Sequence, residues 1–186
     1  MQHVDSSFSE DEYSMSLDPW GYESNTSDRI RRDWFTTFSA TLPKLRTLDI
    51  GAGTGFLTGS IETAQYVGLD ISVTSTEYLN SLFLKRGKST THKAVCGSIL
   101  DDWASELGKF DFIVATGVFY RHYLGGNLRR LEQRIAELST RDTYLLTVHI
   151  AEWPRLIPAR GFIEIDRWVY PYREFNHELL LQKRIS

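Results

Sequence analysis

Hydrophobic and polar positions change rhythm along the chain, and the changes mark its elements. RTLDI (46–50), YVGLD (66–70), KAVCG (93–97), FDFIVAT (110–116) and TYLLTVHI (143–150) are short, nearly continuous apolar runs. Runs of this kind predict strands buried on both faces. Between them the apolar residues recur at helical spacing. Thr54–Thr63 predicts a short helix. VTSTEYLNSLFLKRG (73–87) predicts a longer one with Leu79, Leu82 and Phe83 as its stripe. LDDWASEL (100–107) predicts a short helix or turn, and Gly126–Ser139 a helix with Leu128, Leu131, Ile135 and Leu138 inward. Upstream, TSDRIRRDWFTTFSAT from Thr26 predicts a capped helix with Ile30, Trp34 and Phe38 on one face. GFIEIDRWVY (161–170) and NHELLLQKR (176–184) predict a closing antiparallel hairpin whose short loop contains Pro171. Strand–helix alternation of this kind implies an α/β, doubly wound, mostly parallel sheet with helices on both faces.

The first strand runs directly into three glycines, LDIGAGTGFL (48–57). Glycine is placed where the backbone turns sharply or is approached closely. In a doubly wound sheet the loop after the first strand lies at the carboxyl edge, where ligands bind. The second strand ends in Asp70, about 20 residues on, where an acidic side chain can take two ribose hydroxyls. A nucleoside-containing ligand follows. The dinucleotide fingerprint G-x-G-x-x-G fails, because Phe56 stands at its last position. Asp49 ahead of the glycines would repel a pyrophosphate and attract an ammonium. A nicotinamide-dependent oxidoreductase is therefore disfavoured. S-adenosylmethionine, with its ammonium, sulfonium and ribose and no phosphate, suits the pattern.

LDIGAGTG, VGLDIS, GSILDDW and FDFIVATGVFYRHY resemble, in order and spacing, the class I S-adenosylmethionine-dependent methyltransferases. The resemblance covers about residues 26–184. It implies a Rossmann-like seven-stranded sheet in the order 3-2-1-4-5-7-6 with the last strand antiparallel. It also implies that Asp49, Gly51, Gly53 and Gly55 line the methionine end, that Asp70 holds the ribose and that Ile71 lies against the adenine. The acidic residue usual after the third strand is replaced by Ser98, so the adenine amino group is left to Ser98, the Ile99 backbone or Asp101. Thr116, at the end of the fourth strand, is placed beside the cofactor. DPWGYE (18–23) resembles the N-terminal segment of the nodulation protein S-like branch, whose members methylate small molecules. That likeness makes residues 1–25 a flexible segment serving as a lid, with Trp20 on the cofactor, and residues 26–186 the methyltransferase domain. A plainer reading, that Trp20 and Tyr22 pin the N-terminus to the core, is compatible with it.

Methyl transfer needs alignment, exclusion of water and, for an amine or hydroxyl, removal of a proton. Groups for that work belong after the fourth and fifth strands, in GVFYRHY (117–123) and VHIAEW (148–153). His122 is the first candidate base, since its ordinary pKa of about 6.5 suits neutral pH. Tyr120 and Tyr123 flank it. His149 and Glu152 come second. His122 on a solvated helix start and His149 satisfied inside a strand are the competing readings. His177 reads as structural, and His3 and His92 carry no signal. The run after the fourth strand is ATGV, not the Asn/Asp-Pro-Pro-Tyr pattern of enzymes acting on adenine or glutamine nitrogens.

Composition narrows the partners. A net charge of −3 gives no overall pull toward nucleic acid or anionic membrane, and the basic clusters RIRR (29–32) and Arg129–Arg130 read as solvated helix faces. There is no apolar run near the ~20 residues of a membrane helix, no signal-peptide pattern and no His/Cys cluster with metal spacing, so no metal is expected. The single cysteine, Cys96, reads as a small buried strand residue in a reducing compartment. A cytoplasmic enzyme, monomeric or homodimeric, with a small-molecule methyl acceptor is the expectation. A catalytically silent S-adenosylmethionine-binding protein acting through a partner is the alternative.

Overall fold

The computed structural model describes residues 6–42, 45–59, 61–120, 124, 126–153 and 160–185. Seven strands, β1 (Arg46–Ile50), β2 (Gln65–Asp70), β3 (His92–Cys96), β4 (Phe110–Thr116), β5 (Ser139–Ile150), β6 (Phe162–Tyr172) and β7 (Phe175–Arg184), form a sheet in the order β3-β2-β1-β4-β5-β7-β6. β1–β2, β2–β3 and β4–β5 pair in parallel. β7 runs antiparallel to both β5 and β6, as expected for the last strand. The described residues divide into two compact units, one ending at Gly97 and the other starting at Ser98.

The first unit carries α1 (Ser6–Met15), α2 (Thr26–Thr41) and α3 (Val73–Lys85) with β1–β3. Leu48, Val67 and Leu69 from the strands and Leu79 and Phe83 from α3 are buried together with Phe35 of α2. α2 starts where the sequence predicts, with the Asn25 side chain accepting from the Asp28 N–H at 3.2 Å. Its inward face differs from the expected one. Asp28, Arg31, Phe35 and Ser39 are buried, whereas Ile30 is exposed and Trp34 and Phe38 stack on each other on a half-exposed flank. The reason is that two charged residues go inward as a bonded pair, Arg31 donating to Asp28, so polarity no longer marks the outer face. The helix expected over Thr54–Thr63 is absent over its described residues. Residues 51–59 form successive turns instead. Gly51, Gly53 and Gly55 all have positive φ (75°, 52° and 77°), so the chain leaves the right-handed helical region three times in five residues.

The second unit holds β4–β7, a 3-10 helix at Asp102–Leu107 and α4 (Leu128–Leu138). Leu131, Ile135 and Leu138 of α4 are buried as the spacing predicts. β5 begins four residues earlier than the apolar run, because Thr143 donates through its hydroxyl to the Phe110 carbonyl and holds the polar residues 139–142 in the strand. Pro171 lies within β6, opposite Asn176, and not in the hairpin loop. That loop is Arg173–Glu174, with Arg173 at φ 55°. The sheet order ends at β6, and an edge strand tolerates a proline because the missing N–H leaves no broken ladder bond. Cys96 is exposed rather than buried, since it ends β3 on the outer edge of the sheet. No helix among the described residues is long and apolar enough to cross a membrane.

Candidate functional site

The carboxyl ends of β1 and β2 meet in the first unit, with Asp49 opposite Gly68 and Ile50 opposite Leu69. Asp49 is 2% exposed. Its Oδ2 accepts from the Tyr66 hydroxyl at 2.8 Å and from the Thr58 hydroxyl. Its Oδ1 is buried and has no hydrogen-bond partner among the described residues. Burial, helped by the nearby Asp70, pushes the Asp49 carboxyl up to about 6, against the pull of the Thr58 and Tyr66 hydrogen bonds. Buried polar atoms are nearly always hydrogen-bonded, so an unpartnered carboxylate oxygen marks this position out.

Asp70 ends β2 with both oxygens engaged. Oδ2 accepts from the Gly53 N–H at 2.8 Å and Oδ1 from the Ser72 N–H at 2.9 Å. Burial raises its pKa, and the backbone donors at Ser72 and Gly53 act against that rise. The carboxylate thus ties the glycine turn to the start of α3. Ser72 caps α3, its hydroxyl accepting from the Ser75 N–H at 3.1 Å. Ile71, between these two, is half-buried.

The N-terminal segment lies over the same turn. Tyr13 of α1 is buried, and a Cβ at Gly53 would overlap its hydroxyl. Trp20 stands edge-on to Tyr13 at 5.2 Å, stacks on Tyr22 at 5.9 Å, and Tyr22 stacks on Phe56 at 5.4 Å. DPWGYE owes its shape to Asp18, whose carboxylate accepts from the Tyr22 and Glu23 N–H groups at 2.7 and 2.9 Å. Glu10 of α1 accepts from the Ser72 hydroxyl at 2.6 Å and from the Thr74 hydroxyl at 2.5 Å, at the positive end of α3. Those hydroxyls hold its carboxyl below the usual range.

The remaining expected residues divide. Asp49, Gly51, Gly53, Gly55, Asp70, Ile71 and Trp20 come together in the first unit. Ser98, Ile99 and Thr116 belong to the second. There the Ser98 N–H is spent on the Asp101 carboxylate at 2.9 Å, Ile99 is buried, and Thr116 ends β4 half-buried. His149 is 3% exposed, and its Nε2 lies 3.0 Å from Glu178, which also accepts from Arg167. Glu152 accepts from the Asn176 side chain at 2.8 Å. His122 and Tyr123 lie outside the described residues. Among the described residues no group of three or more His, Cys, Asp or Glu could hold a metal ion. Thr58, Tyr66, Tyr13 and Glu10 escaped the sequence reading. Only Tyr66 carried a signal there, as a hydroxyl inside an otherwise apolar strand.

A family model described as a methyltransferase domain matches residues 47–141, just over half of the 186-residue chain. No curated protein sequence matches. Among solved structures, the chain is similar to the N-methyltransferase NodS from Bradyrhizobium japonicum WM9, in complex with S-adenosyl-L-homocysteine. The TM-score is 0.80 at 16% identity, covering 98% of this chain and 100% of that one. It is also similar to magnesium protoporphyrin IX methyltransferase from Synechocystis PCC 6803 with S-adenosylhomocysteine. There the TM-score is 0.69 at 16% identity, covering 97% and 99%. The strand order, the glycine turn behind Asp49 and the family match agree: this chain belongs to the methyltransferase-domain family.

Proposed function

We propose that the chain is an S-adenosylmethionine-dependent methyltransferase that acts on a nitrogen or oxygen of a small molecule. One observation carries the reading: the open, buried Oδ1 of Asp49, at the end of the first strand beside three glycines of positive φ. An anionic acceptor in a protein interior fits an ammonium and rejects a phosphate. In this reading Asp49 receives the methionine ammonium, Gly51 and Gly53 let the methionine end approach the backbone, and Asp70 and Ile71 take the ribose and adenine. When bound, the cofactor supplies a methyl group on a sulfonium. The chain's work is to hold that end, keep water away and accept the proton of the acceptor group.

Residues 1–25 act as the cover in this reading. Support comes from Tyr13 against Gly53 and from the Trp20–Tyr22–Phe56 stack above the turn. His122 and Tyr123 stand as candidate proton acceptor and substrate frame. The likeness in fold to an enzyme named as an N-methyltransferase, together with DPWGYE, supports an amine among the acceptors to be tried first.

Calorimetric titration with S-adenosylmethionine and S-adenosylhomocysteine tests the reading. Micromolar binding is expected, followed by turnover to S-adenosylhomocysteine with a panel of amines and phenols. A folded protein that takes up neither compound would sink it.

A further inference from the structure

Asp49 is held by a closed triangle of oxygens. The Tyr66 hydroxyl is 2.8 Å from Asp49 Oδ2 and 2.9 Å from the Thr58 hydroxyl, which itself donates to the same Oδ2. The three groups come from three places: β1, the turn after the glycines, and β2. All three side chains are essentially without solvent, at 2%, 1% and 1% exposure for Asp49, Thr58 and Tyr66. Two neighbours fix the Tyr66 ring. Phe83 of α3 meets it edge-on at 5.3 Å, and His92 of β3 stacks on it at 5.9 Å. The phenol therefore delivers its hydroxyl to one place only.

A carboxylate has two oxygens with equal claim on a donor. Here both local donors go to one of them, and the other is left open. We infer that Tyr66 and Thr58 are positioning residues for the cofactor: they pin one oxygen of Asp49 and thereby present the other to the amino group of the methionine moiety. The inference rests on the reading of Asp49 proposed above. It adds why that oxygen is open, and which side chains keep it so.

The arrangement also has an electrostatic consequence. The charged and titratable groups acting on Asp49 are Tyr66 of β2 and Asp70 at the end of β2. Asp70 works against ionisation, and the two hydroxyls work for it. Removing a hydroxyl leaves Asp49 protonated to a higher pH, and a protonated carboxyl is a poor partner for an ammonium.

The test uses two ligands that share adenosine and sulfur and differ in the amino acid moiety. S-adenosylhomocysteine has the amino group; 5′-methylthioadenosine lacks the amino acid. Tyr66→Phe and Thr58→Val are made in the full chain, and dissociation constants are measured by calorimetry from pH 5 to pH 9. Each variant is expected to weaken S-adenosylhomocysteine about tenfold at pH 7, the worth of a hydrogen bond to a charged group. Methylthioadenosine should change by less than about twofold. The pH at which S-adenosylhomocysteine affinity is half lost should move upward in both variants.

A merely structural role predicts otherwise. Equal losses for both ligands with an unmoved pH midpoint, or no loss for either, would overturn the inference. Thr58→Val leaves the aromatic stack untouched and decides the matter if Tyr66→Phe does not fold. A wild-type chain that binds neither ligand would overturn the cofactor reading itself, which is a different result.

Discussion

Two buried carboxylates, one in each unit, are equally hidden and oppositely treated. Asp49 and Glu178 are both 2% exposed. Glu178 in β7 faces His149 of β5 at 3.0 Å and receives Arg167 of β6, so its charge is answered by side chains that can be cationic. Among the described residues Asp49 meets two neutral hydroxyls, both on one oxygen. Taking a charge from water costs several kcal/mol unless it is paired and hydrogen-bonded. Glu178 stitches three strands together. Asp49 has no such partner among the described residues. His149 is a member of that stitch in this structure, the satisfied strand position that the sequence offered as its competing reading.

Breaking the stitch should give the largest effect. Glu178→Ala removes the buried acceptor facing His149 and one of the two acidic partners of Arg167, which keeps Glu164, and is expected to lower unfolding free energy by roughly 3 kcal/mol, with S-adenosylhomocysteine affinity retained. Urea melts and calorimetry on one preparation check both halves. Asp49→Asn is the converse. Affinity for S-adenosylhomocysteine should fall roughly 100-fold, while the urea midpoint at pH 8 does not fall. Equal behaviour of the two variants would erase the distinction.

Titration sharpens it. The folded Asp49 carboxyl titrates at about 6, above its ordinary value of 3.8. A carboxyl raised in this way supports the fold while protonated. Its contribution is complete below about pH 4 and lost as pH climbs through about 6. With Asp49 receiving the ammonium as proposed, cofactor binding should run the other way and weaken toward tenfold per unit as pH falls below about 6. Stability curves for wild type and Asp49→Asn from pH 4 to pH 8 should therefore diverge upward through pH 6.

Glu10 is a third case, a carboxylate at the solvent edge satisfied by hydroxyls and by the start of a helix. Glu10→Ala should loosen α1 and speed limited proteolysis within residues 6–15 about fivefold, in keeping with the worth of a lost helix cap. The smallest expected effect is at the β6–β7 turn. Arg173→Gly relieves the positive φ of the hairpin turn and should raise stability by about 0.5–1 kcal/mol, read as a small upward shift in melting temperature.

The same contrast explains what the sequence disclosed. β4 was visible because both its faces are buried and its letters are mostly apolar, and β1 and β2 because short apolar stretches lead into the glycine turn and Asp70. The strand order followed from resemblance, and Asp49 and Asp70 from their places at strand ends. The helix after the glycines was misjudged, since positive φ at three positions outweighs the helical spacing around them. The inward face of α2 was misjudged because Asp28 and Arg31 are buried as a pair. Thr58 and Tyr66 were hidden for another reason. Their meeting with Asp49 depends on strand register and a turn, over separations of 9 and 17 residues, and no local pattern records it.

The last strand in the sheet order has a bearing on solubility. β6 shows Ile163, Ile165 and Val169 to solvent, an apolar display of the sort that seeds fibrils when an edge lies long and flat. Two irregularities interrupt it: a register shift between Glu164 and Asp166, and Pro171. Only residues 167–170 lie between them, fewer than the six or seven that a steric zipper stacks. The hairpin carries its own gatekeepers, and replacing Pro171 or straightening the bulge would turn a protected margin into a template for aggregation.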